Sequence, residues 1–211
     1  MKPGTPIELR GQSYILCVDL EALADSELYF RKYDDGNLNL VASLAQMNTE
    51  PGALFHVAAC ALHTYHPELP LATIGDLIGI RHIDRLRSAL VKCDWGLASE
   101  ETEKANLSLH LDLDAIVDGA EHFARRGERV PVTTLSDGLT LAAVRSIYPC
   151  MLHHARPELS FPQCQSLMNL QSVFMTAIGF SNAWRDASAA TRERYSRHMS
   201  GADLWPPMAS A

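Results

Sequence analysis

Residues 60–69 read CALHTYHPEL, and residues 150–159 read CMLHHARPEL. Six residues recur, at Cys60/Cys150, Leu62/Leu152, His63/His153, Pro67/Pro157, Glu68/Glu158 and Leu69/Leu159. A second pair of blocks precedes them in the same order. LCVDLEALADSELYF (16–30) aligns with LHLDLDAIVDGAEHF (109–123), matching Leu16/Leu109, Asp19/Asp112, Leu20/Leu113, Ala22/Ala115, Asp25/Asp118 and Phe30/Phe123. The offset is 93 in the earlier block (112 − 19) and 90 in the later one (150 − 60), so the first copy's connecting loop is three residues longer. Blocks kept in one order at nearly one offset mark a tandem duplication, in which one structural unit is written twice. The expected organisation is a first module over 1–97, a linker over 98–105 where SEETEK is polar and charged, a second module over 106–186, and a polar helix end with a flexible tail over 187–211.

Each copy can be read locally. Ile7 and Leu9, then Tyr14, Leu16 and Val18, alternate with polar neighbours around Gly11, which is the pattern of a half-buried hairpin. Asp19 follows as a helix N-cap, with Leu20, Leu23, Ala24 and Leu28 supplying an apolar face. From Pro51 to Tyr65, Leu54, Val57, Ala58, Ala61, Leu62 and Tyr65 recur at spacings of three and four, the clearest amphipathic helix in the chain. The same frame returns as Val144, Ile147, Tyr148, Met151 and Leu152, with Pro149 expected to kink it. Both helices are expected to stop before a proline, at His66-Pro67 and Arg156-Pro157, because the residue before proline is pushed out of helical geometry.

Beyond the PEL turn, Ile74, Leu77 and Ile78 begin a helix that is interrupted near Gly79 and resumes through Ile83, Leu86 and Leu90. In the second copy, Ser160 and Gln163 have capping-box spacing and open a helix running to Ile178. Leu107, Leu109 and Leu111 alternate with polar residues, which predicts a third strand beside the hairpin. The expected fold is therefore mainly α (α+β): two tandem helical modules with a small N-terminal β-hairpin.

The decapeptide is repeated either for its chemistry or for its architecture. In the chemical reading, Cys60, His63, Cys150 and His153 jointly bind zinc, since thiolate and imidazole suit a tetrahedral site. In the architectural reading, Cys60 and Cys150 are small buried hydrophobes, His63 and His153 cap the last carbonyls of a helix, and Glu68 and Glu158 sit at the start of the next. The architectural reading is preferred and no metal or other cofactor is assigned. No phosphate loop, G-x-S-x-G elbow, H-E-x-x-H or C-x-x-C occurs, and Ser136-Asp137-Gly138 reads as a turn, so no enzyme is expected.

A formal charge of −7, with only Arg125, Arg126 and Arg129 clustered, argues against a nucleic-acid partner. Five cysteines without framework spacing suggest reduced thiols, and neither a signal peptide nor a run of about 18 apolar residues is present. A soluble, cytoplasmic protein without a membrane partner is expected. The tail holds an apolar island in which Leu204, Trp205 and Met208 are candidate partner-binding residues.

The run from Ile7 to Ile78 resembles the tail assembly chaperones of tailed phages and gene transfer agents. Members open with a strand pair leading into an L-x-A-L-x-x-x-E helix, here Leu20, Ala22, Leu23 and Glu27, and later carry a P-E-L element followed by L-I, here Pro67, Glu68, Leu69, Leu77 and Ile78. Pro70 stands where Thr or Ser is usual, and this chain carries two copies of what is commonly a single module. The resemblance implies a non-enzymatic chaperone, phage- or prophage-encoded, working in the host cytoplasm. It would bind the tape measure protein, help recruit tail tube protein subunits, and be absent from the mature virion. Homo-oligomerisation is left open.

Overall fold

The computed structural model describes residues 4–34, 36–79, 82–93, 95, 99–128 and 139–199. Within them lie one two-stranded antiparallel sheet and eleven helices. By proximity the chain divides into two units, Met1–Leu97 with Thr140–Ala142, and Ala98–Leu139 with Ala143–Ala211. No described helix is long and apolar enough to cross a membrane.

The first unit opens with β1 (Thr5–Leu9) and β2 (Gln12–Leu16), paired so that Leu9 faces Gln12 and Thr5 faces Leu16. Arg10 and Gly11 both have positive φ, 48° and 79°, as the tight turn matching strand twist requires. Ile7, Leu9, Tyr14 and Leu16 alternate onto one buried face. The outward-facing edges are also covered: the Ile15 N–H donates to His66 Nε2 at 3.1 Å, and Arg85 donates to the Glu8 carbonyl at 3.0 Å. These contacts occupy backbone groups that would otherwise template another strand.

Asp19 accepts from the Glu21 and Ala22 amides and starts α1 (Leu20–Tyr33) as expected. Asn39 caps α2 (Leu40–Gln46). Pro51 at the first position opens α3 (Pro51–His63), which buries eight residues and is the unit's central helix. It ends two residues before the expected Tyr65, in the turn where the Tyr65 and His66 amides both bond the Leu62 carbonyl. Helix α4 (Leu71–Ile78) stops at Gly79, with φ of 40°, and α5 (Ile83–Lys92) packs on β1.

The second unit contains α6 (Glu100–Leu107), α7 (Leu113–Arg125), α8 (Leu141–Leu152), α9 (Phe161–Ser166), α10 (Leu170–Asp186) and α11 (Ala189–Met199), the opening residues of α8 counting with the first unit. Its core joins Ile116, Val117, Phe123, Ile147, Tyr148, Met151, Phe180 and Tyr195. Pro149 lies inside α8 and has no N–H for the Arg145 carbonyl four residues back; the Gln165 side-chain amide donates to that carbonyl at 3.2 Å.

Four sequence expectations are corrected. Residues 98–105 are largely helix rather than linker, because Ser99 and Thr102 form a capping box and Lys104 pairs with Glu100 at 2.7 Å. Leu107, Leu109 and Leu111 form no strand: Leu107 ends α6, Leu109 packs on the core and Leu111 lies over Gly179. The helix expected from Ser160 to Ile178 is two helices, since Asn169 and Ser172 build a second capping box. Residues 189–199 are more than a polar helix end. Tyr195 is buried and Arg194 pairs with Asp114 and Asp118 on α7, both at 3.0 Å.

The two units repeat one plan. Asp112 caps α7 as Asp19 caps α1, accepting from the Ala115 amide at 2.7 Å. The Cys17 N–H bonds the Ala61 carbonyl at 2.8 Å, and at the same offsets the His110 N–H bonds Met151 at 3.0 Å. Leu69 to His66 recurs as Leu159 to Arg156, and His66 to Leu62 as Arg156 to Leu152. Asp34 receives the first amide of α4 from Leu71, whereas Glu128, one residue beyond the equivalent position, receives the first amide of α9 from Phe161.

Candidate functional site

The recurring Cys, His and Glu of the decapeptide stand in different surroundings from one another. Cys60 and Cys150 are wholly buried, and burial raises both thiols, that of Cys60 well above its ordinary range. All five cysteines are free and buried. Among the described residues no group of three or more His, Cys, Asp or Glu side chains is placed to hold a metal ion.

His63 and His153 do not cap carbonyls, which corrects the sequence reading. Each instead lies against the aromatic end of the preceding duplicated helix. His63 sits 4.4 Å from Tyr29 and 4.8 Å from Phe30, ring centre to ring centre, with Nδ1 3.3 Å from the Ser26 hydroxyl. Its Nε2 is buried without a hydrogen-bond partner. Burial lowers the His63 pKa, against the opposing pull of Asp34 and Glu68. In the second unit His153 stacks on His122 at 3.8 Å and meets Phe123 edge-on at 6.0 Å. Phe30 and Phe123, equivalent by sequence, are both fully buried.

Glu68 and Glu158 also differ from expectation. They pair with the basic side chain two residues before each, His66 at 3.7 Å and Arg156 at 2.6 Å, while the amides of α4 and α9 are met by Asp34, Ser160 and Glu128. Arg125 pairs with Glu121. Arg126 holds the second PEL turn by donating to the Pro157 and Leu159 carbonyls at 3.1 and 3.3 Å. Arg129 and the tail candidates Leu204, Trp205 and Met208 lie outside the described residues.

A different buried acid in the first unit is also strongly perturbed. Glu27 is fully buried on α1 and accepts the Leu40 amide at 2.6 Å and the Leu141 amide at 2.7 Å, the first residues of α2 and α8. Desolvation pushes its carboxyl up to about 7, despite those two amides and the charge of Arg31 pulling the other way. It joins two helix starts, meeting the first amide of each. In the sequence it stands only as the Glu of the L-x-A-L-x-x-x-E pattern; its long-range amide partners have no local signature.

What the first unit offers outward is an aromatic strip on α1. Leu28, Tyr29 and Tyr33 are 48%, 38% and 61% exposed. Tyr29 and Tyr33 lie 4.9 Å apart, and Lys32 Nζ sits 4.8 Å from the Tyr33 ring centre. Tyr29 is held by His63 from α3, so the strip stands on packed elements. Exposed tyrosines fixed in this way suit contact with another protein, since they bury much area at little side-chain entropy. Compared with protein-family models, with curated proteins and with solved structures, the chain matches none.

Proposed function

We propose that this protein is a non-enzymatic tail assembly chaperone that binds the tape measure protein and helps recruit tail tube subunits during tail morphogenesis. One observation carries the reading: a short hairpin leads into Leu20-x-Ala22-Leu23-x-x-x-Glu27 and then reaches Pro67-Glu68-Leu69 before Leu77-Ile78, the order that resembles that family. The aromatic strip Leu28, Tyr29 and Tyr33 supports it, because a chaperone for a long amphipathic helix needs a fixed apolar contact surface. The duplication supports it too, since two modules in one chain engage a repetitive helical client with the second contact intramolecular. In this reading the chaperone acts in the host cytoplasm and leaves before the virion matures.

The test is co-expression with the tape measure protein encoded beside it. The tape measure protein is expected to stay soluble and to co-purify with the wild-type chain. It is expected to be lost from the pull-down with a Tyr29→Ser/Tyr33→Ser double variant. An insoluble, unbound tape measure protein beside abundant folded wild-type chain contradicts the proposal.

A further inference from the structure

The second unit carries four histidines in one row. His110 lies 5.0 Å from His154, His154 lies 5.2 Å from His153, and His153 stacks on His122 at 3.8 Å with the ring planes 25° apart. Arg126 closes the row, its guanidinium 3.3 Å from His122 Nε2. We propose that this row is an acid-sensitive release built into the second unit. Protonation of the stacked His122–His153 pair sets two cations face to face beside Arg126 and frees the last turn of α8 from α7.

The surroundings oppose a charged stack. His153 meets His122, Asp118 and Arg126 from α7 and its end, and His154 from its own segment. His122 meets Arg125, Arg126 and Glu128. Asp118 is the acid nearest to offsetting His153, and it is already bonded to Arg194 at 3.0 Å. Like charges at stacking distance destabilise whichever conformation holds them together. Burial first, then His122 and His154, bring His153 down to about 4, and burial with Arg126 and Arg125 lowers His122. A histidine depressed in the fold contributes stability that is complete above its ordinary 6.5 and is lost as pH falls toward 4.

The duplication supplies the control. At the offsets of 93 and 90, the first unit has Cys17, Tyr29, Tyr33, His63 and Thr64 where the second has His110, His122, Arg126, His153 and His154. Only His63 of that set is a histidine, lowered by burial, and it rests on Tyr29 rather than on a second imidazole. The seat is the same and the charge arithmetic is not. The repulsion between stacked imidazoles therefore belongs to the second unit.

Hydrogen exchange read by mass spectrometry on the full chain, at pH 7.5 and 5.0 with intrinsic rates corrected, tests this. A single histidine moved from 6.5 to about 4 limits the gain in opening at pH 5.0 to about 30-fold, and solvent screening of the half-buried ring reduces it to about tenfold. Segments 113–125 and 141–152 are expected to lose about that much protection, while 20–33 and 51–63 are expected to lose none, because the Glu27 carboxyl, pushed up to about 7, holds the first unit more firmly at pH 5.0 than at 7.5. His122→Tyr, which writes the first unit's residue into the second, is expected to reduce the loss by the share that the stacked imidazole contributes, leaving the share due to burial of His153. Equal acid loss in both units, or an unchanged loss in His122→Tyr, overturns the proposal. If that variant does not fold, ring titration of the wild-type chain by NMR decides. Titration of His122 and His153 well below 6.5 together with loss of protection supports the release; ordinary titration with protection intact overturns it.

Discussion

Replacing Glu27 by Gln keeps the side chain's shape and removes its titration. A glutamine has one carbonyl oxygen, so it accepts either the Leu40 or the Leu141 amide and turns its NH2 toward the other. One buried helix-start donor is left unpaired, which costs about 1–3 kcal/mol. The wild-type carboxyl adds a pH dependence of definite sign. Its pKa is raised in the fold from 4.5 to about 7, so its contribution is full below 4.5 and is lost as pH rises through 7. Linkage puts that loss at roughly 2.5 kcal/mol between pH 5 and pH 8. The variant lacks this loss, so Glu27→Gln is most damaging at pH 5 and close to neutral at pH 8. Urea unfolding of both proteins at pH 5, 6, 7 and 8 reads the difference directly. Parallel stability–pH curves for wild type and variant refute the reasoning, because they mean that Glu27 titrates alike folded and unfolded.

Other consequences follow from the packing. Gly119 lets α7 approach α8 so closely that an added Cβ would lie 2.7 Å from Cys150 Cα. Gly119→Ala is expected to destabilise by about 1–2 kcal/mol after its gain in helix propensity, measured by thermal melting, whereas an unchanged melting point denies the close contact. Ser26→Ala, at the equivalent place in the first unit, removes only the hydroxyl beside His63 and is expected to cost about 1 kcal/mol or less. The five buried thiols are expected to react with a thiol reagent only on unfolding, and zinc or a chelator to leave the melting temperature unmoved. Prompt labelling of the native chain, or a zinc-dependent rise in melting temperature, contradicts this.

Local features of the fold were legible because their causes are local. Asp19, Asp112 and the Ser160–Gln163 box announce helix starts through residues two or three apart, whereas α3 and α8 end at His63 and Leu152, before the His66-Pro67 and Arg156-Pro157 stops that the prolines suggest. The mainly helical class with a small hairpin followed from such signals and is what the structure has. Polar composition hid α6, whose stability rests on a cap, a one-turn ion pair and the burial of Ala105 and Asn106. Alternating leucines at 107–111 imitated a strand, although Leu109 packs on the core and Leu111 lies against α10. The candidate site was less legible still. The pairs Tyr29–His63 and His122–His153 join residues more than thirty apart, and the two copies keep the seat while changing one ring, so only the folded chain brings them together.

A chain that chaperones the tape measure protein must offer its apolar strip to a long amphipathic helix. Isothermal calorimetry of the purified full chain with a helical segment of the neighbouring tape measure protein tests it most directly. Saturable binding with a negative heat-capacity change, the mark of apolar burial, is expected, weakened at least tenfold in the Tyr29→Ser/Tyr33→Ser variant. Absence of binding by wild type, or equal binding by the variant, contradicts it.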